Sequence, residues 1–335
     1  MLNKPVTIKD LAARLHLSVS TVSKALSDYP KIAVSTKQRV KKLAKELNYI
    51  PNRAAIYFKQ RKSFTLGIIV PSLMDHFYTI ALDGFEKVVA SQGYHVIVGQ
   101  SHESFTREVE LMSVMQSSSI DGLLISISKE TKEFQHVKNL ELAGIPVVYF
   151  ARKPVIACHS VVSDVYEATI EAVSLFVARG NRRIAYLNGP TSWSTSKGRF
   201  LGYRDGLLRN NIPFDPSLVE ETNFNASETH AAVRKLLLQD HPPTAILCFK
   251  DYIMLDVIKC LRQQFPEKIH SVDLIGFGAL PFFDYVNHPP LGSIQEQPYV
   301  IGEKAAKMLL DLIKYPDKER TAQQLSLPCS LKLFE

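Results

Sequence analysis

Cysteine is scarce in this 335-residue chain, and the four that occur, Cys158, Cys248, Cys260 and Cys329, are far apart with no C-x-x-C among them. That spacing speaks against a disulfide framework or a zinc site and for free thiols in a reducing cytosol. Long apolar runs are missing too, and none approaches the roughly 20 residues a membrane span requires. The opening segment, MLNKPVTIKD, lacks the apolar stretch of a secretory signal. A cytoplasmic protein is expected. Catalytic signatures are also absent: there is no G-x-S-x-G, no P-loop and no H-E-x-x-H. GFGALP at 276–281 is a fragment of G-x-G-x-x-G without a suitable helix after it. The ten histidines are scattered, and His102 and Glu103 read as adjacent solvated residues. No catalytic residue, metal or cofactor is therefore expected.

Acidic residues are nearly missing from one end. Residues 1–62 hold 14 Lys/Arg against 3 Asp/Glu, a net of +11, and the other 273 residues carry a net of −4. A basic head on a mildly acidic body is the electrostatic footprint of focused nucleic-acid contact. The head reads as three short helices. Thr7 is placed to cap a first helix from about Ile8 to Leu15, with Asp10 suiting its dipole and Ile8, Leu11, Ala12 and Leu15 on one face. His16-Leu17 makes a tight turn. Ser18 then caps a second helix from Val19 to Leu26, with Val22, Ala25 and Leu26 facing inward. Two helices joined this way form a helix-turn-helix whose second helix enters the major groove. Ser35 and Gln38 suggest a capping box opening a third helix. Its stripe is Val40, Leu43, Ala44 and Leu47, and its outer face carries Lys37, Arg39, Lys41, Lys42 and Lys45.

From Leu66 the rhythm changes to buried apolar strands alternating with amphipathic helices. The strands are LGIIV, HVIVG, GLLIS and PVVYF, then SVVSD, RIAYLNG, TAILCF, VDLIGF and SIQEQ, closing with extended LSLPCSLKLF. Alternation of this kind means parallel sheets, and the two series suggest two lobes with a ligand between them at the strands' carboxyl ends.

The segments TIKDLA, SVSTVSKAL and LNYIPNRAA, in that order, resemble the headpiece and hinge of the LacI/GalR-family transcriptional repressors, and the strand–helix body agrees with that family over nearly the whole chain. The fold class implied is an all-α helix-turn-helix headpiece followed by a two-lobed α/β periplasmic-binding-protein-like domain with parallel sheets. The expected domains are a headpiece over 1–50, a hinge helix and linker over 51–62, and an effector-binding and dimerisation domain over 63–335. By the resemblance, lobe one covers about 63–160 plus 291–322, and lobe two about 161–290 plus 323–335, with chain crossings near 160, 290 and 322.

The resemblance also assigns roles. Val19, Ser20 and Lys24 match base-reading positions: Val19 could touch a thymine methyl, and Lys24 could bond guanine O6 and N7. Thr7, Ser18, Thr21 and Ser23, with Tyr49, Asn52 and Arg53, match further DNA-facing positions. Phe58 stands where the family pushes a leucine into the minor groove, a wedge role phenylalanine also fills. Effector positions match Asp75, Phe77, Tyr78, Ala151 and Arg152 in lobe one. In lobe two they match Trp193, Thr195, Arg199, Phe224, Lys250, Asp251 and Gly278, with Glu296 on the last crossing. Sugar sites of this kind usually carry carboxylates where Ala151 and Gly278 stand, so Arg152, Arg199 and Lys250 suggest an anionic effector, such as an acidic or phosphorylated sugar; the equal alternatives are a neutral ligand with Lys250 pointing outward, or a cleft that binds nothing. The implied partners are near-palindromic operator DNA, a small-molecule effector and a second copy of the chain. The alternative is a cytosolic binding protein or sugar enzyme without specific DNA binding.

Overall fold

The computed structural model describes residues 6–49, 62–191, 193–316 and 321–334. The chain divides into two compact units at Ser63/Phe64.

The first unit is built on α1 (Ile8–Leu15), α2 (Val19–Leu26) and α3 (Val34–Glu46). The Thr7 hydroxyl accepts from the Asp10 amide while the Asp10 carboxylate accepts from the Thr7 amide at 2.8 Å, so this pair forms a capping box. Ser18 caps α2 by accepting from the Thr21 amide at 3.1 Å. Between them His16 sits at φ 52, ψ 42, the left-handed conformation that ends α1. The start of α3 departs from expectation: Ala33 is the cap and gives no side-chain bond, so Ser35 and Gln38 form no capping box. Ser35 falls one residue inside the helix, where its hydroxyl is past the amides it would have capped. Leu11, Ala12, Val22, Ala25, Val40 and Ala44 form the buried centre, with Ile8, Leu15, Leu26, Leu43, Leu47 and Tyr49 packed around it.

The second unit runs β1 (Thr65–Val70), α4 (His76–Ser91), β2 (His95–Gln100), α5 (Phe105–Ser117), β3 (Gly122–Ile125), α6 (Gln135–Leu142), β4 (Val147–Phe150) and β5 (Ser160–Asp164). It continues through α7 (Tyr166–Ala178), β6 (Ile184–Asn188), α8 (Ser194–Arg209), β7 (Val219–Glu221), α9 (Ala226–Leu237), β8 (Ala245–Cys248), α10 (Asp251–Gln264) and β9 (Asp273–Phe277). It ends with β10 (Gly292–Gln295), α11 (Pro298–Lys314), β11 (Gln324–Pro328) and β12 (Ser330–Leu333).

Two six-stranded sheets result, in the orders β11-β5-β4-β3-β1-β2 and β12-β10-β9-β8-β6-β7. We call the halves built on them the first and second lobes. All pairings are parallel except β12, which runs antiparallel to β10. The lobe assignments shift accordingly. β5 and β11 belong to the first sheet and β10 to the second, so the chain crosses after Asp164, after Gln295 and after Pro328, later than 160, 290 and 322. The short polar strand β7, VEE, had no apolar pattern to announce it.

Helices cover the sheets by close packing. On α4 and α11, Gly84 lies under the Tyr299 carbonyl and Gly302 under the Ala81 carbonyl, with no room at either for a Cβ. The two helices therefore touch backbone to backbone, which lets Phe85, Val89, Ile301, Ala305 and Leu309 close over the first sheet.

Candidate effector cleft and DNA-reading helix

In the headpiece, α2 offers Val19, Ser20 and Lys24 to solvent at and beyond its N-terminus. Val19 is 41% exposed, unusual for a valine in a three-helix core unit. The Lys24 ammonium rests 5.5 Å from the centre of the Tyr29 ring. Ser18 and Thr21 bond each other's hydroxyls at 2.8 Å and so shape the start of the helix. Thr7 is held in its capping box, Ser23 is exposed, and Tyr49 is half-buried against the core. The outer face of α3 is not uniformly free. Lys41 bonds both oxygens of Asp28 at 2.6 and 2.7 Å, and Lys37 donates to the Asp28 carbonyl at 3.0 Å. The Lys41 hydrogen bond and charge hold the Asp28 carboxyl below its usual range. The expected hinge residues Asn52, Arg53 and Phe58 lie outside the described residues.

In the second unit the loops after β1, β2, β3 and β4 face those after β6, β7 and β8 across a cleft. This is the carboxyl-end position where open α/β sheets bind ligands. The cleft has two parts. A deep chamber of about 30 Å³ is lined by Phe77, Tyr78, Ala151, Arg152, Trp193, Thr195, Arg199, Phe249 and Lys250. Toward solvent a cavity of about 900 Å³ opens, sharing Arg152, Trp193 and Lys250 and adding Asp75 and Phe224.

Most expected effector positions therefore come together. Asp75 caps α4, accepting from the Phe77 amide at 3.1 Å. Trp193 stacks on Phe224, with centroids 5.1 Å apart and planes at 19°, and the Arg152 guanidinium lies 3.7 Å from the centre of the Trp193 ring. Arg199 is buried between Phe249 and Phe277, 4.5 and 4.6 Å from their centroids. Tyr78 donates no charge here, since burial pushes its hydroxyl pKa up, and its oxygen accepts from Ser126 at 3.2 Å.

Asp251 departs from its expected place. Its carboxylate turns into the second lobe, accepting from the Leu280 amide at 2.9 Å and the Ser293 hydroxyl at 2.7 Å. It lies so close over Gly276 that a Cβ there would meet its Oδ1. Burial raises its pKa to about 6 against those two hydrogen bonds. Gly278 and Ala151 both take positive φ, 131° and 56°, so they shape the loops after β9 and β4.

Electrostatics also differ from expectation. Each of the three cations has a carboxylate partner: Arg152 with Glu103 at 2.8 Å, Arg199 with Glu296 at 2.8 Å, and Lys250 with Asp75 at 2.6 Å. These three cations are neutralised in pairs where an anion-binding cluster had been expected, while Lys129 and Lys132, which also line the cleft, have no carboxylate partner among the described residues. Glu103 is consequently no solvated bystander, as its side chain is only 24% exposed. Sequence reasoning missed it, together with Glu130, Tyr252 and Phe249. The signal available was position, since Glu103 and Glu130 follow β2 and β3 and both face the cleft by the same rule that placed Asp75. Trp193 Nε1, Arg199 Nε and Glu296 Oε2 are buried and unpaired, two donors and an acceptor beside the deep chamber.

A helix-turn-helix unit followed by a two-lobed α/β unit with an aromatic-lined cleft that holds three ion pairs is the architecture of a ligand-binding DNA regulator. Residues 7–52 match the model of bacterial regulatory proteins of the lacI family, and residues 63–333 match that of periplasmic binding proteins and the sugar binding domain of the LacI family. The chain belongs to the LacI family and is a DNA-binding transcriptional repressor with a ligand-binding domain. It is 29% identical over 307 residues to the HTH-type transcriptional repressor CytR of Escherichia coli (strain K12), covering 91% of this chain and 89% of that protein. It is 28% identical over 316 residues to catabolite control protein A of Priestia megaterium, covering 94% and 93%. In fold it is similar to the Lac repressor dimer bound to operator and the anti-inducer ONPF, with TM-score 0.83, 23% identity and 98% of each chain covered. Among the described residues no helix is long and apolar enough to cross a membrane.

Proposed function

We propose that this repressor reads a near-palindromic operator as a homodimer in the cytoplasm. Val19, Ser20 and Lys24 contact base edges, and a sugar in the cleft sets DNA affinity. Thr7, Ser18, Thr21, Ser23 and Tyr49 orient the helix-turn-helix or contact phosphate, and residues 51–62 couple the two units with Phe58 as a minor-groove wedge. The body has no catalytic task on this reading. Asp75, Phe77, Tyr78, Arg152, Trp193, Thr195, Arg199, Phe224, Lys250 and Glu296 serve the effector, and Asp251 supports the second lobe from within.

The observation that carries the sugar reading is the pairing of Arg152, Arg199 and Lys250, the cations of the inner cleft, each with a carboxylate. An anion in the inner cleft would have to displace one of those partners, whereas hydroxyl groups can both accept from the unpaired Arg199 Nε and donate to Glu296 Oε2. Aromatic faces add contact with the apolar faces of sugar rings. The test is selection of bound sequences from random duplex DNA, followed by anisotropy titrations with sugars and sugar phosphates. Effector and operator affinities must change by reciprocal factors. Failure to select any sequence under any ligand condition would refute the operator reading. A response to sugar phosphates alone would restore the anionic effector.

A further inference from the structure

We infer that Tyr29 is a positioning residue for base recognition: its ring, set by a clamped turn after α2, fixes the Lys24 ammonium where it reads a base. The inference rests on the reading of Lys24 as a base-contacting residue and concerns what makes that contact selective.

The turn comes first. α2 ends at Leu26, and the chain leaves it through a Schellman motif, in which two amides beyond the helix bond back to its last carbonyls. The Asp28 amide donates to the Ala25 carbonyl at 3.3 Å, and the Tyr29 amide to the Lys24 carbonyl at 2.9 Å. The second bond brings Tyr29 back to the level of Lys24, where such a motif commonly makes an apolar contact. Here the contact is a cation over a ring, with Lys24 Nζ 5.5 Å from the Tyr29 centroid. Pro30 follows and disfavours helical backbone at Tyr29, so the chain turns away from α2 at this point.

The turn is also held from outside. Its left-handed residue is Asp28, at φ 57, where the motif usually has glycine. A side chain in that conformation persists when its surroundings fix it. α3 does so. Lys41 bonds both Asp28 carboxylate oxygens, at 2.7 and 2.6 Å, and Lys37 donates to the Asp28 carbonyl at 3.0 Å. The Ser27 hydroxyl adds a bond to the Ser23 carbonyl at 3.1 Å. Two lysines of the basic face therefore hold the turn that carries Tyr29.

The consequence is for Lys24. It is exposed, the Tyr29 ring beside it is 41% exposed, and among the described residues no carboxylate pairs with Lys24. A lysine ammonium is a point charge on a flexible stem, and phosphate attracts it whatever the sequence. A ring on one side restricts the stem before DNA arrives, which lowers the ordering cost of a directed bond to a base edge. An aromatic face attracts the charge weakly and leaves its protons free to donate, whereas a carboxylate would engage them as Asp28 engages those of Lys41.

The test uses the full-length protein and a duplex that it selects from random DNA. Anisotropy titrations with single-base variants of that duplex give a discrimination factor at each position. Lys24→Ala identifies the position that Lys24 reads. Tyr29→Ala should lower discrimination at that same position about two- to fivefold, the equivalent of about 0.5–1 kcal/mol, and leave the other positions unchanged. Tyr29→Phe, which keeps the ring, should retain it. Lys24→Ala combined with Tyr29→Ala should relax that position no further than Lys24→Ala alone. Asp28→Asn, which tolerates the left-handed turn but loses the charge, should relax it by a smaller factor; no change there overturns the clamp. Equal loss across all variants for Tyr29→Ala, or Tyr29→Phe behaving as Tyr29→Ala, would show a phosphate contact by the hydroxyl and overturn the positioning role. So would an unchanged factor for Tyr29→Ala. In each of these cases Lys24 keeps its reader role. Uniform loss for Lys24→Ala, or failure to select any duplex, overturns that role and the inference together. If Tyr29→Ala does not fold, Tyr29→Leu keeps an apolar side chain without the aromatic face and takes its place.

Discussion

Lys250 Nζ lies 2.6 Å from Asp75 Oδ2, and the bond joins the loop after β8 in the second lobe to the start of α4 in the first. Burial pushes the Asp75 carboxyl up, but the Lys250 charge and hydrogen bond outweigh it and leave the pKa below its usual value. Lys250 is likewise raised despite burial, with Asp75 and Glu296 holding its proton. The two shifts agree that both partners are charged. The side chains keep 14% and 20% exposure, so the pair sits between a surface and a buried salt bridge.

Lys250→Met leaves Asp75 without its ammonium and should cost about 1–3 kcal/mol at neutral pH, read by urea unfolding. Asp75→Asn combined with Lys250→Met should recover part of that loss, because no uncompensated charge remains. The sign with pH follows from the lowered Asp75 pKa. Its contribution is present above the unfolded value near 3.8 and fades as pH falls through the lower folded value. The gap between wild type and Lys250→Met should therefore close in acid. A gap of constant size would mean the pair contributes through packing alone.

Lys24 and Lys42 should fail differently when truncated. Lys24→Ala should cost about 1–3 kcal/mol and relax preference at one base position. Lys42→Ala should weaken all sequences alike and reduce the salt slope by about 1. Lys41, although on the same helix, already faces Asp28 at 2.6 Å, so Lys41→Ala should flatten the slope less than Lys42→Ala. Anisotropy titrations over a salt series with single-base operator variants measure all three. Uniform loss across base variants for Lys24→Ala would remove its reader role.

His16→Gly should stabilise the headpiece by about 0.5–1 kcal/mol. The residue sits at φ 52 after α1, where glycine adopts the left-handed conformation without a Cβ cost. Thermal melting monitored in the headpiece checks this, and a lower melting temperature would show that the imidazole contributes contacts of its own.

Much of this molecule was legible in its residue pattern because the signals were local. Apolar runs marked the strands that carry the cleft, and Ser18 and Thr7 marked helix starts that the hydrogen bonds realise. The capping box at Ser35 misled because an S-x-x-Q pattern says nothing about where the preceding chain turns, and Ala33 takes the cap. Most positions matched to an effector site come together at one cleft, yet their charge pairing was not foreseen. Arg152, Arg199 and Lys250 look like an uncompensated cluster in one dimension. Their partners Glu103, Glu296 and Asp75 stand 49, 97 and 175 residues away. Only folding reveals such pairings, and they neutralise the three cations on which the anionic reading rested. Asp251 shows the same limit. Its place at a strand end suggested a ligand contact, but the missing side chain of Gly276 let it fold inward instead.

That inward carboxylate makes the last prediction. Asp251 is 1% exposed, and burial outweighs the hydrogen bonds from Leu280 and Ser293, raising its pKa from 3.8 to about 6. The folded state then holds a proton that the unfolded chain has released, so this group favours folding in acid and its contribution falls as pH rises from about 4 to about 6. A shift of roughly two units corresponds to about 3 kcal/mol. Asp251→Asn has nearly the same shape and cannot ionise. Its amide oxygen can accept from the Leu280 amide, and its amide nitrogen can donate to Ser293 Oγ. Urea unfolding of both proteins across pH 4–7 lets every other titrating group cancel in the difference. The variant should gain on wild type by up to about 3 kcal/mol over that range, with most of the change between pH 4 and 6. A difference that does not move with pH would mean Asp251 is ionised in the folded protein and held by its two donors alone.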